Sequence, residues 1–498
     1  MKNNEYFPRF IAKWIKHPQG IQVYALKESI TLEEMNVQAI SSIEKICSGK
    51  NNLDEVIRKL SLKWDKDDIV TLIYLFIEKQ IIVNNKEVNP LVKGCKLKKI
   101  ETLLPNQETV DILNLPYQVI YGRAGSDIWS SGKDIDINIA TNKMISEIAE
   151  WNAWNFPKKE CTLFGSFESL ASKNILVPPS DIINYADFQY SDILFPYKIF
   201  NPLSNYNWIC AKNFINNEKV FIFSEHILFT QNPIYVANTS SGCSAHVNKN
   251  KAIHHAVHEL IERDAFMIYW LNKLDRPRIN LNSLPESIIF RVKNIQNLGY
   301  RLTINDISMG IAPVIMVALQ DIDGCYVTSG LASLYDFEAM FSSALSEVEV
   351  SLLHILNSKK IVQKKLKPET VKSLVQHEEL HQQIMYQKET SFIFESSKEI
   401  SFKNFMIAYK DEKNIIKTIL DKGFDLYVVD ATDWEIDVLL PEHRHIVRAI
   451  IPGLVPLSFG YHKEPLGMSR IYEVPVQLGF RSNTISYQEL NRFPHPFN

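Results

Sequence analysis

The stretch His254–Asp264, HHAVHELIERD, sets Glu259 and Glu262 three residues apart in a segment whose other positions recur at helical spacing. Residues three apart lie on one helical face, so both carboxylates point at one place. The arrangement recurs elsewhere: ATNKMISEIAEWNAW carries Glu147 and Glu150 at the same spacing, and FEAMFSSALSEVEVSLL carries Glu347. Carboxylates in a mainly apolar setting repel one another and resist desolvation. Any one E-x-x-E pair is normally a solvated helix face. Three such helices in one chain are instead expected to converge on a cation. Magnesium meets that requirement, because it takes oxygen ligands and commonly shares them between carboxylates and substrate phosphates.

A chain of 498 residues exceeds the roughly 250–300 residues at which single cores stop growing, so two or three domains are expected. The net charge of -3 argues against a surface that tracks nucleic acid, and no nucleic-acid partner is expected. The cysteines at 47, 95, 161, 210, 243 and 325 form no C-x-x-C pair for zinc or redox exchange, which predicts free thiols in a reducing compartment. The start MKNNEYFPRFIAKWIKHPQG has no apolar signal core, and no run of about 18 apolar residues occurs. A cytoplasmic protein without a membrane partner is the expectation.

Along the first ninety residues, RFIAKWI and GIQVYALK read as strands around His17, Pro18 and Gly20. TLEEMNVQAISSIEKICSG opens with the capping box Thr31-x-x-Glu34 and reads as one helix ending at Gly49. NLDEVIRKLSLKW and KDDIVTLIYLFIEKQ read as two more helices, and IIV as a closing strand. This order resembles the PqqD-like recognition domains that bind leader peptides in ribosomal peptide biosynthesis. The resemblance implies a peptide bound as an added strand beside GIQVYALK and against the helix at 66–79. A winged helix used only for packing or dimerisation has the same pattern.

From about residue 100, strands and helices alternate without a simple βαβ repeat and without a glycine-rich phosphate loop. Helices are expected near 139–154, 249–272 and 336–357. Strands are expected at QVIYGRAG, YKIFNP, KVFIFSEHILF, RLTINDI, APVIMVALQ, CYVTSGLAS, DLYVVDAT and HIVRAIIPG. The polar segment from Leu366 to Lys413 is expected to be a peripheral insertion. The expected fold class is α+β: a winged-helix-like domain over residues 1–88, a linker over 89–105, and a mixed α/β domain over 106–498.

SSGCSAHVNKNKAIHHAVHELIERDAFMIYW is similar to the S-G-x-x-A and A-x6-E-x-x-E-R signature of the YcaO family. SSGKDIDINIATNKMISEIAEW resembles that family's earlier G-K and E-x-x-E block, TSGLASLYDFEAMFSSALSEVE its third acidic helix, and IVRAIIPGLVPLSFGYHKEPLGMSRI its late P-G-L-x-P stretch. The terminal PHPF resembles the proline-rich tail of the azoline-forming cyclodehydratases. The resemblance implies an ATP- and Mg2+-dependent enzyme that activates backbone amides of a precursor peptide, turning Cys, Ser or Thr into azolines. It assigns Glu147, Glu150, Glu259, Glu262 and Glu347 to metal, and Ser244, Lys143, Lys251, Arg263 and Arg470 to the nucleotide. Glu262, Arg263, Pro494 and Pro496 form its catalytic set. Arg263 would contact phosphate as a planar, permanently charged donor.

Backbone thioamidation and a non-catalytic scaffold that presents the peptide are the alternatives. No flavin motif is visible, so oxidation of azolines to azoles would belong to a flavin-dependent dehydrogenase partner. The family also admits a homodimer. Lys143, Trp151, Lys251 and Val350 stand where the family commonly has Ser, Arg, Glu and Gln, and Asn498 follows Phe497 where a final Pro is expected. HEELH at 377–381 matches a zinc-protease pattern, but its polar surroundings predict a solvated helix. His254 and His258 are expected to face away from Glu259 and Glu262, and FMIYW to be core.

Overall fold

Three β-sheets of the larger domain each carry one of the acidic helices. The computed structural model describes residues 8–84 except 11–12, 18–19, 25–28, 34–36, 49 and 80, then 100–124 except 106, and 128–154. It further describes 161–229 except 194, 233–357 except 238, 365–410, 414–434 and 444–497. The mixed α/β expectation holds.

The first acidic helix, Ile137–Ala153, packs on a three-stranded antiparallel sheet of Ile100–Leu103, Gln118–Ala124 and Ile128–Asp134. Ile100–Leu103 falls in the expected linker; its pairing with Gln118–Ala124 makes it part of the larger domain, while residues 89–99 lie outside the described residues. The second acidic helix, Lys249–Asn272, crosses the antiparallel pair His445–Ile450 and Cys243–His246 at the end of a seven-stranded sheet. Its Ala265–Leu271 run is wholly buried, as FMIYW led one to expect. The third, Phe337–Asn357, lies on the strands Tyr326–Ala332 and Ile315–Gln320 of a five-stranded sheet. That helix is long and apolar enough to cross a membrane, but Met340, Phe341, Ala344, Leu345 and Val348 are buried against the sheet, which makes it a core helix. YKIFNP is irregular, and KVFIFSEHILF is a strand only over Lys219–Phe223, followed by a short turn of helix at Ser224–His226.

The expected peripheral insertion is part of the core. Residues 365–410 form the helices Leu374–His381, Gln387–Phe394 and Phe402–Ala408, and the strand Glu399–Ile400 extends the five-stranded sheet. Val371, Leu380, Ile393, Phe394, Phe402 and Phe405 are buried there. Many of the polar residues that dominate its composition lie on outward positions of these short helices, but His377, His381 and Thr390 are buried. The described cysteines, Cys47, Cys161, Cys210, Cys243 and Cys325, are free.

In the N-terminal region, Val37–Ile46, Leu53–Leu60 and Lys66–Glu78 are the three expected helices. Thr31, expected to open a helix, lies in the strand Ser29–Glu33, where Leu32 shares the sheet core with Ile21 and Val23; Glu34 lies outside the described residues. Gly20–Tyr24 is the central strand, paired on one side with Lys13–His17 and on the other with Ser29–Glu33. Among the described residues a peptide therefore has no free edge beside Gly20–Tyr24. Lys13–His17 and Ser29–Glu33 are the two outer strands, each paired on one side only, and Lys13–His17 lies alongside Asn205–Asn213.

Two glycines set how closely the acidic helices approach their sheets. A Cβ at Gly132 would overlap the Ala140 carbonyl of the first helix. At Gly330 it would overlap the Ala344 carbonyl and stand 2.8 Å from Cβ of Glu347. Both clashes are with backbone, so the helix must move. Gly330→Ala is expected to cost about 1–3 kcal/mol, as overpacking usually does, and to displace Glu347; an unchanged urea midpoint would show that the contact is not tight.

Candidate functional site

The helices bring their carboxylates around a cavity of about 610 Å³ lined by Glu147, Glu150, Trp151, Glu259, Arg263, Cys243 and Phe459. That is within the roughly 300–1,000 Å³ usual for small-molecule sites. Glu262 and Glu347 are not part of this lining but are coupled electrostatically to Glu259 and Glu147, which are. The five carboxylates form a ring in which each feels the charge of two others: Glu150 with Glu259 and Glu147, Glu262 with Glu259 and Glu347, Glu347 with Glu147.

Four of the five are held by hydrogen-bond donors. Ser130 Oγ donates to Glu147 at 2.6 Å. The Ser333 and Leu331 N–H groups donate to Glu262 and Glu347 at 2.7 and 3.1 Å. Arg263 donates to Glu259 at 3.0 Å. Burial raises all five above the usual carboxylate range, and the charge of neighbouring carboxylates adds to it at Glu147, Glu150 and Glu262. Burial pushes Glu262 up to about 8, with the Glu347 and Glu259 charges adding to it.

Lys133 is the residue that sequence reasoning passed over. Burial pulls its ammonium down, while Glu347, Glu349 and Glu147 hold it up, so it faces the ring from the strand Ile128–Asp134. The signal was in view, since Lys133 follows Gly132 in the S-S-G-K stretch, but the spacing of helical carboxylates gave no reason to look at a strand. Glu349, two residues after Glu347, points the other way and is bound by Arg291 at 2.6 Å and by the Tyr117 hydroxyl.

Several expected nucleotide contacts lie away from the cavity lining. Ser244 alternates away from Cys243, and Ser240 and Thr239 line the cavity in its place. Arg470 is bound to buried Asp264 at 2.6 Å and lies over the Phe424 ring, so it braces the second acidic helix. Lys143 is tied to Asp134 at 2.8 Å and to the Lys133 carbonyl, and is exposed. Lys251 is exposed as well, and both lysines flank His255. Trp151 lines the cavity beside Phe229, their rings 5.3 Å apart, while Val350 packs towards the core of the five-stranded sheet. His258 is buried against Ser333 and Tyr335, in keeping with a packing role.

Pro494 and Pro496 lie in a buried C-terminal tail running along the second acidic helix, and Phe497 stacks under Arg263 at 5.0 Å. Removing the last five residues would strip Phe497 from the main core. Asn498 lies outside the described residues.

Among the described residues, no three acidic, His or Cys side chains meet at one point. A ring of carboxylates open to a cavity nevertheless suits Mg2+ bound to ATP, since Mg2+ usually takes one or two carboxylates and completes its shell with phosphate oxygens and water. Because the folded-state pKa of Glu262 lies above the unfolded value, its contribution to stability is present at acid pH and is lost as pH rises from 4.5 to about 8. Cation binding must displace that proton. Mg2+ affinity is expected to increase towards about pH 8, with proton release seen by calorimetry in buffers of different ionisation enthalpy; affinity flat across that range would count against Glu262 as a ligand.

Residues 131–455 match the family described as YcaO cyclodehydratase, ATP- and Mg2+-binding. The fold is similar to a heterocyclase solved in complex with substrate and cofactor, at 16% identity and a TM-score of 0.60, over 83% of this chain and 56% of that one. This chain thus spans little more than half the length of that heterocyclase. It is also similar to YcaO from Methanopyrus kandleri bound with AMPPCP and Mg2+, at 14% identity and a TM-score of 0.51 over 71% of this chain and 85% of that one. The heterocyclase TruD aligns over 99% of this chain and 100% of its own at 12% identity and a TM-score of 0.51. An uncharacterized protein of Methanothermobacter thermautotrophicus is 23% identical over 274 residues, 51% of this chain and 67% of that one. With all five carboxylates inside the matched residues, the chain belongs to the YcaO family of ATP- and Mg2+-dependent enzymes that modify peptide backbones.

Proposed function

We propose that this protein cyclodehydrates Cys, Ser or Thr residues of a ribosomally made precursor peptide to thiazolines and (methyl)oxazolines. The observation that carries the reading is the carboxylate ring with a buried, proline-containing C-terminal tail laid beside it. Glu147, Glu150, Glu259, Glu262 and Glu347 would hold Mg2+, and Arg263 and Lys133 would supply the fixed positive charge facing phosphate. ATP supplies the phosphoryl group that makes the amide oxygen a leaving group. The protein's part is positioning: the cavity holds the peptide carbonyl near the nucleotide, and its Trp151–Phe229 wall excludes water.

The N-terminal domain would bind the leader segment of the precursor as an added strand on Ser29–Glu33, whose Leu32 shares a core with Ile69, Ile73 and Phe76 of the third helix. Oxidation to azoles would fall to a separate flavin-dependent dehydrogenase.

Titration with a non-hydrolysable ATP analogue, with and without Mg2+, is the first test, and metal-dependent binding is expected; a folded protein that binds none would favour a peptide-presenting scaffold. Glu262→Gln should lower Mg2+-dependent ATP turnover by about 100-fold or more, and undiminished turnover would remove it from the metal set. Mass spectrometry of the precursor should register loss of water, whereas exchange of oxygen for sulfur would mean thioamidation. Deleting residues 1–88 should weaken binding of the precursor while leaving that of the ATP analogue; equal precursor affinity would reject the recognition role.

A further inference from the structure

His377 and His381, the H-x-x-x-H pair of the polar segment, are not solvated: each is 1% exposed. Both rings are occupied by the C-terminal tail. His381 Nε2 donates to the Pro494 carbonyl at 2.6 Å and His377 Nδ1 to the His495 carbonyl at 2.7 Å. A carbonyl only accepts, so each of these nitrogens carries a proton. The Gly460 N–H donates to His377 Nε2 at 2.8 Å, which leaves that nitrogen unprotonated and makes the ring neutral. Both His377 nitrogens are engaged and only His381 Nδ1 keeps an unused lone pair, so the two rings cannot share a zinc ion, despite the sequence pattern.

The tail needs such donors. Pro494 and Pro496 have no N–H, and an unpaired buried carbonyl is costly. Trp270 Nε1 serves the Phe493 carbonyl at 2.9 Å, so three successive tail carbonyls are met by Trp270, His381 and His377. His495 in turn donates from Nε2 to the Ser458 carbonyl at 2.7 Å. The tail is thereby fixed between the second acidic helix and the 458–460 stretch, and it ends with Phe497 under Arg263. Leu374, at the start of the helix that carries both histidines, and Phe459 line the carboxylate cavity.

We propose that His377 and His381 are positioning residues that clamp the C-terminal tail, so that Phe497 sets the Arg263 guanidinium at the edge of the carboxylate cavity. The clamp stands on the hydrogen bonds alone; its effect on turnover rests on the function proposed above.

His381→Phe keeps an aromatic ring between Trp270 and Tyr326 but removes the donor, whereas His381→Gln offers an amide N–H in place of Nε2–H. Hydrogen exchange of residues 491–497 in the full-length protein, read by mass spectrometry, is expected to speed up by about tenfold or more in His381→Phe and to be restored in His381→Gln. Turnover of Mg·ATP should fall in kcat with little change in KM for His381→Phe, again rescued by Gln. Equal exchange in the unsubstituted protein and in His381→Phe would overturn the clamp. Faster exchange with unchanged kcat would keep the anchor and reject the positioning role. If the unsubstituted protein turns over no ATP, the function proposed above fails while the exchange comparison still decides the clamp. Should His381→Phe not fold, the unsubstituted protein suffices: a tail that exchanges as fast as an unfolded peptide rejects the proposal, and nitrogen NMR must show His377 as the Nδ1–H tautomer.

Discussion

Five carboxylates around one cavity, opposed mainly by Lys133 and Arg263, are the constraint on which the rest of the structure depends. Burial and neighbouring like charges raise the proton affinity of such carboxylates, and Glu262, pushed up to about 8 first by burial and then by Glu347 and Glu259, shows both. Such a ring does not form by default. It is held by Ser130, by the Ser333 and Leu331 amides and, from the cavity wall itself, by the Arg263 side chain, each fixing one carboxylate. Without cations the arrangement is unfavourable; with Mg2+ and a triphosphate the same charges become ligands.

The scaffold serves this ring by bringing helices unusually close to sheets. Gly132 and Gly330 remove the side chains that would otherwise stand between strand and helix, which puts Lys133 and Glu347 within reach of the same space. Ion pairs outside the cavity then fix the helices' rotation. Arg291 with Glu349 orients the third helix, and Arg470 with Asp264 the second. Neighbouring acidic residues thus divide between the cavity and its supports according to which helical face they occupy.

The C-terminal tail belongs to the same construction. It runs back along the second acidic helix, and its prolines leave it dependent on donors from elsewhere in the chain. Trp270 comes from the helix itself, and His377 and His381 from a segment whose composition looks like surface. A stretch remote in sequence from both the carboxylates and the tail therefore holds residues 494 and 495 in place.

Helical spacing and the family's motifs were enough to identify the three acidic helices, their carboxylates and Arg263, because a period of three to four residues reports which side chains share a face. The strands of the larger domain were mostly visible for the same reason. Spacing says nothing about which face meets which neighbour once the helices are packed. Lys133 on a strand, the turning of Ser244 away from the cavity, the engagement of Arg470 by Asp264 and the central place of Gly20–Tyr24 in its sheet all depend on contacts between residues far apart in the chain. His377 and His381 are the clearest case. Local polarity marks them for solvent, and only the tertiary structure, by bringing the donor-poor tail against them, makes burial favourable.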